Sequence, residues 1–122
     1  MKVADLNYQR PGYETQPNSF FPYAPAGWSQ AGAEEIAHSE GLSMTAEHWE
    51  LVSALQEFYA RHDDPTINIR ELHDALDEHF HHEGGLKHLY ELLPKGPVTQ
   101  GCRLAGLQPP AGAQDKGFGS VL

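Results

Sequence analysis

Apolar residues recur at helical spacing along most of this chain, and the stretches between are rich in proline and glycine. Over residues 28–40 a face of small residues, Ala31, Ala33, Ile36 and Ala37, predicts a first helix that Gly41 ends. Thr45 is placed as the N-cap of a second, with Ala46 and Glu47 in its first turn. Trp49, Val52, Leu55, Phe58 and Tyr59 form its apolar stripe, which makes it the expected main core helix. His62-Asp63-Asp64-Pro65 breaks it. Asn68 followed by Glu71 resembles a capping box and opens a third helix along Ile69, Leu72, Leu76 and Phe80, closed by Gly84-Gly85. Leu86, Leu89, Tyr90 and Leu93 give a fourth, which Pro94 stops. Pro97, after Gly96, suits the first position of a short fifth helix, and Gly106 suits its end. Short connections and little strand signal predict a mainly α fold, a compact bundle of about five crossed helices.

The two ends read differently. Residues 1–27 are rich in Pro, Asn, Gln and aromatics without periodicity. They suggest an irregular segment that lays Tyr13, Phe20, Phe21 and Tyr23 on the domain. Strand candidates around Val3 to Tyr8 and Tyr13 are weak and lack clear turn-flanked alternation. The helical domain then spans 28–107. Residues 108–122 open with Gln-Pro-Pro-Ala-Gly and carry Gly117, Gly119 and Ser120, the composition of a flexible C-terminal arm.

Composition narrows the function classes. A chain of 122 residues is expected to form one domain able to bury a modest core. Its formal charge of -9 argues against broad nucleic-acid binding, which neutralises phosphates with basic side chains. No apolar run approaches membrane-spanning length and no apolar signal region opens the chain. The single cysteine excludes a disulfide framework, so a reducing cytoplasm is the expected setting.

That cysteine, Cys102, is the candidate functional atom. From Pro94 to Gly112 the chain carries Lys95 and Arg103 and no acid, and such a locally positive segment favours thiolate. A lone cysteine is otherwise, as a rule, a buried small hydrophobe, and that reading stays open. Histidines are a second candidate: His73, His79, His81, His82 and His88 crowd one region, with His73, Asp77 and His81 four apart on one predicted helix face. No zinc-type spacing such as His-Glu-x-x-His is met, so a solvated polar face is expected and no metal site is assigned. His48 is expected to satisfy a helix-start hydrogen bond. Neither a catalytic triad nor a phosphate-cradling glycine loop is present, and no independent catalytic site is expected.

The stretch from Leu89 to Pro97 and from Leu104 to Pro110 resembles the signature of the DsrC/TusE family of sulfur-relay proteins, which includes the gamma subunit of dissimilatory sulfite reductase. Trp28, Glu40-Gly41-Leu42, Thr45, His48-Trp49-Glu50, Phe58-Tyr59 and Arg70-Glu71-Leu72 also resemble the family's spaced positions, over roughly the last three-quarters of the chain. Family members carry sulfur on an arm cysteine, and Ala113 stands at the matching position. Cys102 matches a second, inner cysteine of the family. The resemblance therefore implies a protein that lacks the two-thiol cycle. A small N-terminal β-hairpin, the alternative to an irregular opening segment, is implied by the resemblance alone.

Two readings follow from the resemblance. In one the protein traffics sulfur by persulfide or disulfide exchange at Cys102, with Arg103, Lys95 and Arg70 stabilising the thiolate or docking a partner. In the other it is a regulatory or interaction member that has lost the relay. Both imply a protein partner of sulfur metabolism, sulfite-reductase-like or sulfur-relay, and no metal or organic cofactor. A third reading, nucleic-acid binding through a basic face of Arg70, Lys87, Lys95 and Arg103, runs against the overall charge.

Overall fold

The structure, a computed structural model, describes residues 20–62 and 67–110. Within them the chain forms five α-helices and no strand: α1 Gln30–Ser39, α2 Ala46–Arg61, α3 Ile69–His79, α4 Gly85–Leu92 and α5 Thr99–Ala105. The mainly helical expectation holds. The hairpin alternative falls mostly on residues 1–19, outside the described residues, as does the arm beyond Pro110.

Local chemistry sets the helix ends. Ser29 begins α1 two residues later than Trp28, because its Oγ accepts the Gly32 N–H at 3.0 Å and leaves Trp28 outside the helix. Gly41 ends it in the left-handed region (φ 78°), and the Leu42 N–H reaches back to the Ala37 carbonyl at 2.8 Å. At the start of α2, Thr45 and His48 bond reciprocally: His48 Nδ1 accepts the Thr45 N–H at 3.1 Å and lies 2.8 Å from the Thr45 Oγ1. Its Nε2 donates to the Leu92 carbonyl at 2.9 Å, so this histidine ties α2 to α4 as well as capping. Asn68 Oδ1 accepts the N–H groups of Arg70 and Glu71 and opens α3.

Two expectations need correction here. The third helix stops at His79, not at Gly84-Gly85, because Phe80 turns into the core and a 3-10 turn, His81–Glu83, follows. Gly84 and Gly85, at φ 120° and 67°, instead make the joint into α4, where Asp77 Oδ1 accepts the Leu86 N–H at 2.8 Å. His81 therefore leaves the helix face predicted to align it with His73 and Asp77. The α2 stripe is also rotated. Leu51, Val52, Leu55, Gln56, Tyr59 and Ala60 are buried, while Trp49 and Phe58 are only half-buried.

The core gathers Leu51, Leu55, Leu72, Leu76, Phe80, Leu89, Leu93 and Leu104 with Cys102 among them. In it α5 packs against α2 and α1, while α3 packs against α4. Of the small-residue face predicted for α1, Ala33 and Ala37 are buried, but Ala31 and Ile36 are exposed. None of the described helices is long and apolar enough to cross a membrane.

Candidate functional site

The site is built around α5, a helix of only seven residues in which all but Thr99 and Arg103 are buried. A helix this short has little stability of its own and is held by what it touches. Gly101 lets it come close to α2: a Cβ there would lie 2.6 Å from Leu55 Cδ1. Gly106 ends it at φ 78°, ψ 27°, as expected, with the Leu107 N–H on the Cys102 carbonyl at 2.9 Å.

Side chains from distant elements then fix the start of the arm. Trp28 Nε1 donates to the Leu104 carbonyl at 2.7 Å. Gln56 Nε2 donates to the Ala105 carbonyl at 3.0 Å, and the Tyr59 hydroxyl to the Gln108 carbonyl at 2.5 Å. All three bind carbonyls at or beyond the end of the helix, where backbone acceptors lack helical partners. The chain from Leu104 to Gln108 is therefore held at a defined place, beside α2.

Cys102 lies under this segment. Its side chain is fully buried, and its Sγ is 3.7 Å from the Tyr59 hydroxyl oxygen, to which the thiol donates. Burial pushes the thiol up to about 12, and the Tyr59 hydroxyl pulls it back only in part. The expectation of a thiolate is thus corrected. A positive stretch of sequence does not put its charges beside the sulfur.

The three predicted basic residues stand elsewhere. Arg103 neighbours Cys102 in sequence but points to the other side of α5, where its Nε and Nη2 donate to Glu40 at 2.8 and 3.2 Å. Lys95 is exposed on the turn before α5, and its backbone N–H donates to Gln100 Oε1 at 3.0 Å. Arg70 is exposed at the start of α3, a helix that packs against α4 rather than α5. The structure joins Arg103 and Lys95 through Gln100 and Glu40, not through the thiol, and it leaves Arg70 apart.

Sequence reasoning missed the residues that organise this region. Glu40, at the C-terminal end of α1, accepts from both Arg103 and Gln100, the latter at 2.8 Å. Chiefly the Arg103 hydrogen bond holds its carboxyl below the usual range, against an opposing effect of burial. An acid at a helix C-terminus is electrostatically misplaced, and that was the available signal for a cation arriving from outside. Gln56 and Gln100 were also legible in principle, as polar residues at apolar helical positions.

The histidines do not gather. His79 meets Glu50 at 3.3 Å, and His88 meets Glu47 at 3.2 Å and Glu91 at 3.7 Å. Among the described residues no group of three or more His, Cys, Asp or Glu could hold a metal ion.

Taken together, fold and site define a small helical protein whose segment from Leu104 to Gln108 is held by Trp28, Gln56 and Tyr59 over a buried cysteine. Comparison with known proteins gives this class its family. A family model described as DsrC-like protein matches residues 8–113, and the chain belongs to that family. It is 43% identical over 84 residues to the sulfurtransferase TusE of Salmonella paratyphi A, covering 68% of this chain and 76% of that one. Identity to the Escherichia coli K12 sulfurtransferase TusE over the same length is 40%. The NMR structure of DsrC from Allochromatium vinosum superposes with a TM-score of 0.60 at 32% identity, covering 73% of this chain and 82% of that one. The match ends at Ala113, the position of the missing arm cysteine.

Proposed function

We propose that this protein is a non-carrier member of the DsrC-like family, which acts by docking to a protein partner of sulfur metabolism instead of loading sulfur on a cysteine. The observation that carries the reading is the state of its one thiol. Cys102 is fully buried and pushed up to about 12, so the nucleophilic thiolate is scarce and unreachable. At the arm position alanine has nothing to carry sulfur with. What the chain retains is the held segment from Leu104 to Gln108, a docking feature more than a chemical one. Lys95 and Arg70, both exposed, serve partner contact in this reading.

The test is intact mass after incubation of the folded chain with polysulfide, alongside an Ala113→Cys variant. We expect no added sulfur on the native chain and one added sulfur atom on the variant. Sulfur found on Cys102 of the native chain would overturn the proposal in favour of trafficking by persulfide or disulfide exchange at that residue.

A further inference from the structure

We propose that the open trough between α1 and the connection that follows it is a docking site for a basic amphipathic helix of a partner protein. This rests on the non-carrier reading above and assigns it a surface and a chemistry. Ala31, Glu34, Glu35 and His38 fall on one stripe of α1, at spacings that place them on the same side of a helix. With Ala37, Leu42 and Met44 they line a pocket of about 630 Å³. The turn at Gly41 makes this arrangement. Its left-handed φ of 78° and the bond from Leu42 N–H to the Ala37 carbonyl fold residues 42–44 back alongside the helix.

Floor and rim have different characters. Leu42 and Met44 are half-buried and rest on the core, so they offer apolar surface on a firm base. Methionine there adapts to the shape of an incoming side chain. Glu34 and Glu35 are exposed on the rim. Between Arg10 and Arg61 the sequence has no Lys or Arg at all. The acids nearest in sequence have partners: Glu40 meets Arg103, Glu47 meets His88, Glu50 meets His79 and Glu57 meets Arg61. Glu34 and Glu35 thus set negative charge on the rim beside the apolar surface of Leu42 and Met44.

Those features select the occupant. A helix with apolar residues one turn apart can set them on Leu42 and Met44 while Lys or Arg to either side reaches Glu34 and Glu35. An acidic helix would be repelled, as would the anionic headgroups of a membrane. The overall charge of -9 adds steering of a basic partner towards the chain.

The experiment titrates the isotope-labelled full chain with a synthetic helical peptide carrying Leu at one-turn spacing flanked by Lys, followed by amide chemical shifts. A second peptide carries Glu in place of every Lys. We expect saturable shifts confined to residues 31–44 that fade as salt rises and are absent with the Glu peptide. In a Glu34→Gln/Glu35→Gln variant, whose substitutions are exposed, binding should weaken about fivefold. Shifts centred elsewhere, equal binding of the two peptides, or an unaffected variant would overturn the proposal. So would concentration-dependent shifts at 31–44 without peptide, which mean a second copy, or a trough that binds only after residues 1–19 are deleted, which means self-occupancy. None of these bears on the non-carrier reading, which the sulfur mass on Cys102 decides separately.

Discussion

The buried thiol makes a quantitative prediction about alkaline stability and reactivity together. A rise from 9.0 to about 12 lowers the thiolate fraction of Cys102 at neutral pH about a thousandfold relative to the unfolded chain. Alkylation by iodoacetamide at pH 7.5 should therefore be at least about a thousand times slower in the folded protein than in guanidinium, since burial also blocks access. The same shift has a thermodynamic face. The folded-state value is raised, so the stability tied to the protonated thiol is complete below 9.0 and is lost as pH climbs towards 12. At pH 10 the unfolded thiol is largely ionised and the folded one is not, which costs on the order of 1 kcal/mol. Urea melts at pH 7 and pH 10 measure this, with Cys102→Ala as the reference that lacks the titrating group. The variant starts lower, by about 1–2 kcal/mol for the lost packing. Its difference from wild type should then narrow by about 1 kcal/mol at pH 10. Parallel pH profiles for the two proteins, or native labelling within tenfold of the unfolded rate, would refute the argument from burial.

Three further outcomes can be checked on single variants. Glu40→Gln keeps the shape but removes the charge that Arg103 and Gln100 bind, and should cost about 1–2 kcal/mol at pH 7 in a thermal melt, discounted for the exposure of Arg103. Because the Glu40 value is lowered in the fold, its contribution is present above the ordinary carboxylate range and lost as pH falls through the folded value; wild type and variant should converge in melts taken at acid pH, below that range. Gly106→Ala forces an alanine to φ 78° with its Cβ 2.9 Å from Trp28 Cδ1, and should lower urea-melt stability by about 1–2 kcal/mol. Tyr59→Phe removes the donor to the Gln108 carbonyl, and amide exchange at Leu107 and Gln108 should quicken about fivefold while α2 stays protected.

What could be read without coordinates was whatever is decided within a few residues. Thr45, Asn68, Gly41, Gly106 and Pro94 act on their immediate neighbours, and each ends or begins a helix where its chemistry requires. Ser29 is an N-cap of the same kind, and it starts α1 at Gln30 rather than at Trp28. The site was less legible because it depends on contacts between residues far apart in the chain. Cys102 and Tyr59 are 43 positions apart, and Glu40 and Arg103 are 63. Counting charges along Pro94 to Gly112 averaged over direction, whereas successive helical residues point about 100° apart. Cys102 and Arg103 are adjacent, yet one enters the core and the other meets Glu40 at the surface.

The Tyr59 hydroxyl shows why burial of the thiol and placement of the arm belong together. Its single proton goes to the Gln108 carbonyl, which frees its oxygen to accept from the neutral Cys102 thiol. Were the thiol ionised, sulfur would become an acceptor and would compete with Gln108 for that same proton. A docked arm and a thiolate are therefore in conflict, over and above the cost of placing a charge in an apolar core. A sulfur-carrying role for Cys102 would require Gln108 to let go of Tyr59 first, and then a thiol buried in the leucine-rich core to become reachable. No comparable demand falls on a protein that only presents its C-terminal segment to a partner. For that task a neutral thiol, held as packing beneath a tyrosine that anchors Gln108, is the more stable arrangement.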